Sequence, residues 1–219
     1  MDIKIPYTPR HHQSLLHNTI SKHRWSVLVC HRRFGKTVCM INHLIRSALT
    51  SKQKNPRFAY ISPTFKQSKS IAWDYMKQFT AKIPYTKFNE TELRVDFPNG
   101  SRITLLGSEN SDGLRGIYLD GCVIDEYANV NSKLFPEIIR PALSDRKGYC
   151  VFIGTPAGMN NNFYELYQHA NGADDWFNYK AKASDTKIVD EDELVKAKEV
   201  MGEKKYNQEF ECDWIANIE

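Results

Sequence analysis

Short apolar, β-rich runs alternate along the chain with stretches whose apolar residues recur every three or four positions. That alternation is the mark of a mostly parallel sheet covered by helices on both faces. Ser26–Cys30, Phe58–Ser62, Gly121–Asp125 and Tyr149–Gly154 are short, apolar and bounded by turn or polar residues, so they are expected as buried strands, with Trp176–Ala181 a weaker candidate. Leu93–Phe97 and Arg102–Leu106 alternate in polarity around Pro98-Asn99-Gly100, which predicts a β-hairpin on the sheet edge. Helices are expected over Pro9–Lys22, Lys36–Leu49, Lys66–Ala81, Lys133–Arg140, Asn161–His169, Glu191–Met201 and Lys204–Cys212. The sixth opens on acidic residues, which suit a helix N-terminus.

Composition narrows this little. At 219 residues the chain suffices for one sizeable α/β domain, and a single domain over residues 1–219 is expected. A formal charge of +4 permits contact with nucleic acid without demanding it. The five cysteines are scattered with no C-x-x-C pair, which points away from a zinc ribbon or a disulfide framework and towards a reducing cytosol. Met1 to Arg10 has no apolar core of a signal peptide, and no apolar run approaches the ~20 residues that span a bilayer, so no membrane association is expected.

The chemistry begins at Val27-Leu28-Val29-Cys30-His31-Arg32-Arg33-Phe34-Gly35-Lys36-Thr37, where an apolar strand runs through a polar loop into Gly-Lys-Thr at a helix start. Such a strand delivers a loop to the carboxyl edge of a sheet, where backbone N–H groups and the helix N-terminus face an anion. Lys36 then reaches the outer phosphates of a nucleotide and the Thr37 hydroxyl can ligate Mg²⁺. The strict phosphate-loop pattern wants glycine where Cys30 stands. A basic helix start on a surface loop is the plainer alternative, but it leaves the apolar strand unexplained.

Further on, Cys122-Val123-Ile124 ends in Asp125-Glu126. Alone, such a pair is commonly a solvated turn; at the same sheet edge as a phosphate loop it becomes a reaction site. Asp125 is suited to hold Mg²⁺ through water, and Glu126 to polarise the attacking water as general base. Neighbours on a strand point to opposite faces, so the two acids are expected to divide these tasks.

With both motifs in place, the whole chain resembles the ATPase domain of the large terminase subunits of tailed bacteriophages. The resemblance implies a P-loop fold of the ASCE type and an ATP- and Mg²⁺-dependent hydrolase that moves double-stranded viral DNA into a procapsid. It further implies a homo-oligomeric ring, by resemblance a pentamer, docked on the portal protein in the host cytoplasm and supplied with DNA by a small terminase subunit. On the loop, Arg32 stands where the family carries an arginine that contacts nucleotide in cis, and Arg33, Phe34, Gly35, Lys36, Thr37 and Val38 complete the binding segment. Cys30 and His31, often glycine in relatives, depart from the pattern. Tyr7-Thr8-Pro9-Arg10-His11-His12-Gln13 is similar to the adenine-recognition segment, with Gln13 pairing with the base edge and Tyr7 packing on it. Ile153-Gly154-Thr155-Pro156 resembles the coupling motif, with Thr155 as sensor of the γ-phosphate, and Ser111-Asp112-Gly113-Leu114-Arg115-Gly116 resembles the loop that gives an arginine finger, here Arg115, to a neighbouring subunit. Relatives continue into a nuclease domain where this chain stops, so no DNA cleavage is expected of it.

Two other functions compete. A helicase-like ATPase predicts a second ATPase-type domain, for which no length remains; a nucleotide-binding assembly module has no need for Glu126. DNA contacts leave no pattern in the sequence, and Lys66, Lys69 and Lys77 are candidates only by sharing one expected helix.

Overall fold

Strand and helix alternate as the pattern requires. In the computed structural model, which describes residues 2–215, α1 (His11–Ile20) leads into β1 (Trp25–Cys30) and α2 (Lys36–Thr50). Next, β2 (Arg57–Ser62) runs into α3 (Phe65–Ser68) and α4 (Asp74–Thr80), joined by a π-turn over Lys69–Trp73. β3 (Lys87–Asn89), β4 (Arg94–Asp96) and β5 (Arg102–Gly107) follow, then β6 (Gly121–Ile124), a π-turn over Phe135–Ile139 and α5 (Arg140–Ala142). The described chain ends with β7 (Tyr149–Gly154), α6 (Asn162–Ala170), β8 (Trp176–Ala181), α7 (Ala183–Thr186), α8 (Glu191–Met201) and α9 (Glu203–Phe210). The single-domain expectation over 1–219 includes Met1 and positions 216–219, which lie outside the described residues.

One eight-stranded sheet has the order β3-β4-β5-β2-β6-β7-β1-β8. From β5 to β8 all pairs are parallel, while β3 and β4 add an antiparallel edge. β7 lies between β1 and β6, with Val29 in register with Gly154 and Ile124 with Phe152, so the carboxyl ends of these three strands share one rim.

β1 and β6 are buried along their whole length because both faces of the sheet are covered. Leu28, Tyr60, Val123 and Ile153 pack with Leu16 of α1, Met40 and Leu44 of α2 and Met76 of α4. Val29, Ile61, Ile124 and Phe152 pack on the other face with Leu134, Ile139 and Phe163. Each such fully buried aliphatic or aromatic side chain contributes roughly 1.5–3 kcal/mol. Leu194, Tyr206 and Phe210 form a separate small core that joins α8 to α9.

Several expected elements change form. The helix expected over 66–81 is two α-helical pieces joined by a π-turn, and the one expected over 133–140 is mostly a π-turn. In the latter, Arg140 N–H bonds Phe135 O five residues back, and Pro141 has no N–H to continue an α-helical ladder. The weak candidate Trp176–Ala181 is a full strand, paired with β1 from Trp25 to Cys30. The hairpin turn also caps a helix: Gly100 takes φ +87°, and the Asn99 amide and Ser101 hydroxyl both donate to Ala48 O at the end of α2.

Beneath α1 and α2 lies a polar cluster in the core. His17 Nδ1 and His43 Nδ1 are 3.0 Å apart with rings stacked at 5.2 Å, and the Tyr7 hydroxyl lies 2.9 Å from His17 Nε2. Burial pushes His17 down to about 4 and His43 to about 3, with the Arg46 charge and, for His43, the neighbouring ring in the same direction. Between the ordinary histidine value near 6.5 and about 4 the unfolded chain therefore binds protons that the folded chain excludes. Stability is full above that window and falls with acidification through it, by on the order of 1 kcal/mol per pH unit per histidine. Denaturant unfolding between pH 7.5 and 5 should show this decline, and a smaller one in His43→Leu. Equal slopes in the two proteins would clear the pair of any part in it.

Candidate active site

β1 delivers its following loop to the rim, and three bonds hold that loop. His31 N–H donates to Ala181 O at 3.0 Å, Arg32 N–H to Glu209 O at 2.8 Å, and Phe34 N–H to His31 O at 3.2 Å. The buried His31 ring donates from Nδ1 to Arg32 O at 2.7 Å, because a carbonyl can only accept; Nε2 is left to accept from the Thr186 hydroxyl at 2.7 Å. Burial lowers the pKa of His31, which keeps it in this neutral form. The His31 side chain thus fastens the loop to α7. Arg33 and Gly35 take left-handed conformations, φ 70° and 88°, and a Cβ on Gly35 would lie 2.5 Å from Arg10 Nη2. The loop then enters α2, whose first turn leaves the N–H groups of Lys36, Thr37 and Val38 without helical partners.

β6 supplies the acids, and their geometry departs from the expected alternation. The strand stops at Ile124; Asp125 N–H makes the last sheet bond, 2.7 Å to Ile61 O. Glu126 turns the chain in a left-handed conformation, φ 49° and ψ 46°, with its N–H on Asp125 Oδ1 at 2.7 Å. The division between the two acids comes from this turn and not from strand pleating. Asp125 is buried and accepts a hydrogen bond from the Tyr60 hydroxyl of β2. Burial raises the pKa of Asp125, opposed by Tyr60 and Lys36. Glu126 is also raised, by burial and then by Asp125, opposed by Lys36 and Arg32.

Arg32, Lys36, Thr37, Asp125, Glu126 and Thr155 line one cleft of about 490 Å³, which also takes in Asn129, Lys205, Gln208 and Glu209. A neighbouring cavity of about 840 Å³ is bordered by Arg32, Arg33, Gly35 and Val38 and by Tyr75, Ile188, Val189 and Leu194. Both are polar and carry both signs of charge; the second sets Val38, Ile188, Val189 and Leu194 beside Arg10, Arg32, Arg33, Asp190 and Glu193. The residues suit a magnesium ion: Thr37 and Asp125 offer hard oxygens in the same cleft, and both lie in reach of the Tyr60 hydroxyl. A single carboxylate is compatible with Mg²⁺, which draws its remaining ligands from water and phosphate.

Four expected site residues stand elsewhere. Phe34 is fully buried against His12, His31 and Tyr179, so its ring pins the loop. Tyr7 packs edge-on against His17 and Phe79 and lines neither cavity. Gln13 is 4% exposed; its Nε2 donates to Gly35 O at 3.1 Å and its Oε1 accepts from Arg10 N–H at 2.9 Å. It braces the phosphate loop. Arg115 lines neither cavity; it pairs with Asp112 at 3.3 Å and Glu137 at 3.7 Å on the surface. Of the lysines, Lys66 and Lys69 are exposed while Lys77 is tied to Glu90 at 3.2 Å.

Tyr60 and the α9 residues were not foreseen. A tyrosine inside a buried strand had to find a partner for its hydroxyl, and that was the available signal for Tyr60. For Lys205, Gln208 and Glu209 no local pattern exists, since only the path of the chain brings α9 to the rim.

A phosphate-type loop after β1 and an acid pair after β6, with β7 between the two strands, give an α/β fold of the ASCE P-loop type, as expected. The family model for the terminase large subunit, T4likevirus-type, N-terminal matches residues 29–218, and the chain belongs to that family. The terminase large subunit of Thermus phage G20c is 26% identical over 180 residues, covering 74% of this chain and 36% of its own length. The chain thus spans about a third of that relative. The large terminase ATPase domain of Thermus phage P74-26 superposes with a TM-score of 0.81 at 20% identity over 96% of both chains. The large terminase of another thermophilic bacteriophage, in complex with ADP, gives 0.79 at 17% identity, over 93% of this chain and 53% of the other.

Proposed function

We propose that this chain binds ATP across the phosphate loop and hydrolyses it, as the motor ATPase that drives double-stranded viral DNA into a procapsid. The observation that carries this is the convergence of Lys36, Thr37, Asp125, Glu126 and Thr155 on one cleft from separate segments of the chain. The ATPase-domain likeness and the ADP complex of a structural relative support it.

In this reading the free N–H groups at the start of α2 and the Lys36 ammonium hold the outer phosphates. Thr37 and Asp125 hold Mg²⁺, which neutralises charge on the phosphate oxygens when bound. Glu126 takes the proton of the attacking water, its raised pKa making it the stronger base. Arg32 steadies the nucleotide in cis, Thr155 senses the γ-phosphate, and Arg115 serves the neighbouring subunit of a ring. The neighbouring cavity beside Val38 and Val189 takes the base. The work is done in the host cytoplasm on the procapsid portal, with a small terminase subunit supplying the DNA. No helix among the described residues is long and apolar enough to cross a membrane.

Lys36→Ala tests the placement. It removes a charge-assisted contact and should weaken ATP binding by about a hundredfold in calorimetry. Wild-type affinity in that variant would contradict a nucleotide in this cleft.

A further inference from the structure

α9 forms one wall of the phosphate side of the cleft and brings charge of both signs to it. Glu209 is the hub. Its side chain is only 13% exposed, with Oε1 3.1 Å from Lys205 Nζ and Oε2 3.5 Å from Arg32 Nη1. Its backbone carbonyl accepts Arg32 N–H, so the phosphate loop and the last turn of α9 are joined through both main chain and side chain. One poorly hydrated carboxylate therefore holds the arginine of the loop and the lysine of the helix.

The cleft balances its own charge. Arg32, Lys36 and Lys205 are three cations; Asp125, Glu126 and Glu209 are three carboxylates. A nucleoside triphosphate with its magnesium adds net negative charge, which the cations must meet. Asp125 is occupied by Tyr60 and placed for the metal, and Glu126 is placed for water. Glu209 is the carboxylate with no such task, and so the one that can give up its partners. A lysine–glutamate pair four residues apart on a helix is a weak contact, whereas an ammonium on a phosphate oxygen is a strong one. The exchange runs downhill once an outer phosphate is present.

We propose that Lys205 is a γ-phosphate ligand supplied by α9, and that Arg32 and Lys205 pass from Glu209 to the outer phosphate when a triphosphate binds. The inference rests on the reading of the cleft as an ATP site. Its consequence is discrimination: a diphosphate leaves both cations with Glu209, so α9 is held differently in the two nucleotide states.

Calorimetry with ATPγS and with ADP, each with Mg²⁺, tests it on wild type, Lys205→Met, Lys205→Arg, Glu209→Gln and Lys36→Ala. Lys205→Met should weaken ATPγS binding about tenfold or more, with ADP changed far less, and Lys205→Arg should recover most of the loss. Glu209→Gln frees both cations and should tighten ATPγS selectively. The proposal is overturned if Lys205→Met leaves ATPγS affinity intact, if it weakens both nucleotides equally, or if Glu209→Gln weakens ATPγS as a merely structural hub would. Lys36→Ala separates the two levels: undiminished binding of both nucleotides there removes the ATP site itself, whatever Lys205 does.

Discussion

Glu126→Gln is expected to bind MgATP at least as tightly as the wild type and to hydrolyse it roughly 10²–10⁴-fold more slowly, the range for loss of a general base. The amide keeps the size of the carboxylate and its place in the left-handed turn, so Lys36, Thr37 and Asp125 keep theirs. What goes is the ability to accept a proton, together with one negative charge beside the phosphates. Holding a glutamate at φ 49° costs about 1–2 kcal/mol, and such strain persists where the surroundings fix a side chain for a purpose. The pH profile carries the same signature. Burial and Asp125 raise the pKa of Glu126, and only the ionised form can take the proton, so the acid limb of kcat lies above the ordinary glutamate range and activity falls as pH drops through it. Single-turnover hydrolysis with parallel calorimetry measures both effects. Wild-type turnover in Glu126→Gln would pass the base role to the other available carboxylate of the cleft, Glu209.

Most of the fold was legible because both determinants were local. Buried parallel strands appear as short apolar runs, and the covering helices as three-to-four periodicity; β1, β2, β6 and β7 differ from expectation by at most one residue at an end. The π-turns escaped because periodicity does not distinguish five-residue from four-residue bonding. The phosphate loop and the acid pair were legible because the chemistry lies in adjacent residues. Gln13 and Tyr7 were assigned roles by resemblance, and tertiary packing adds contacts that no local pattern shows: the Gln13 amide bonds Gly35 O and Arg10 N–H. Tyr60 and α9 reach the site only through tertiary structure. The path from β8 through α7 to α9 is not encoded in any window of sequence that contains Glu209.

Arg115→Ala is expected to fold normally, bind ATP as the wild type does, and lose roughly 10³–10⁵ in turnover, the range for an arginine finger. Arg115 lines neither cavity of its own chain, and its side chain is 55% exposed. Its partners Asp112 and Glu137 are themselves well exposed, and such pairs are worth only ~0–1 kcal/mol. Removing the arginine therefore costs the isolated chain little, and moving it onto a neighbour's phosphates costs equally little. A residue that matters only across an interface gives a particular result on mixing. An Arg115→Ala subunit retains Glu126 and Lys36, and a Glu126→Gln subunit retains Arg115, so each inactive protein supplies what the other lacks. A mixed ring with the finger of one facing the cleft of the other should regain part of the hydrolysis that neither has alone. If mixed assemblies form and stay inactive at every ratio, Arg115 does not act between subunits, and what remains to it is its pairing with Asp112 and Glu137.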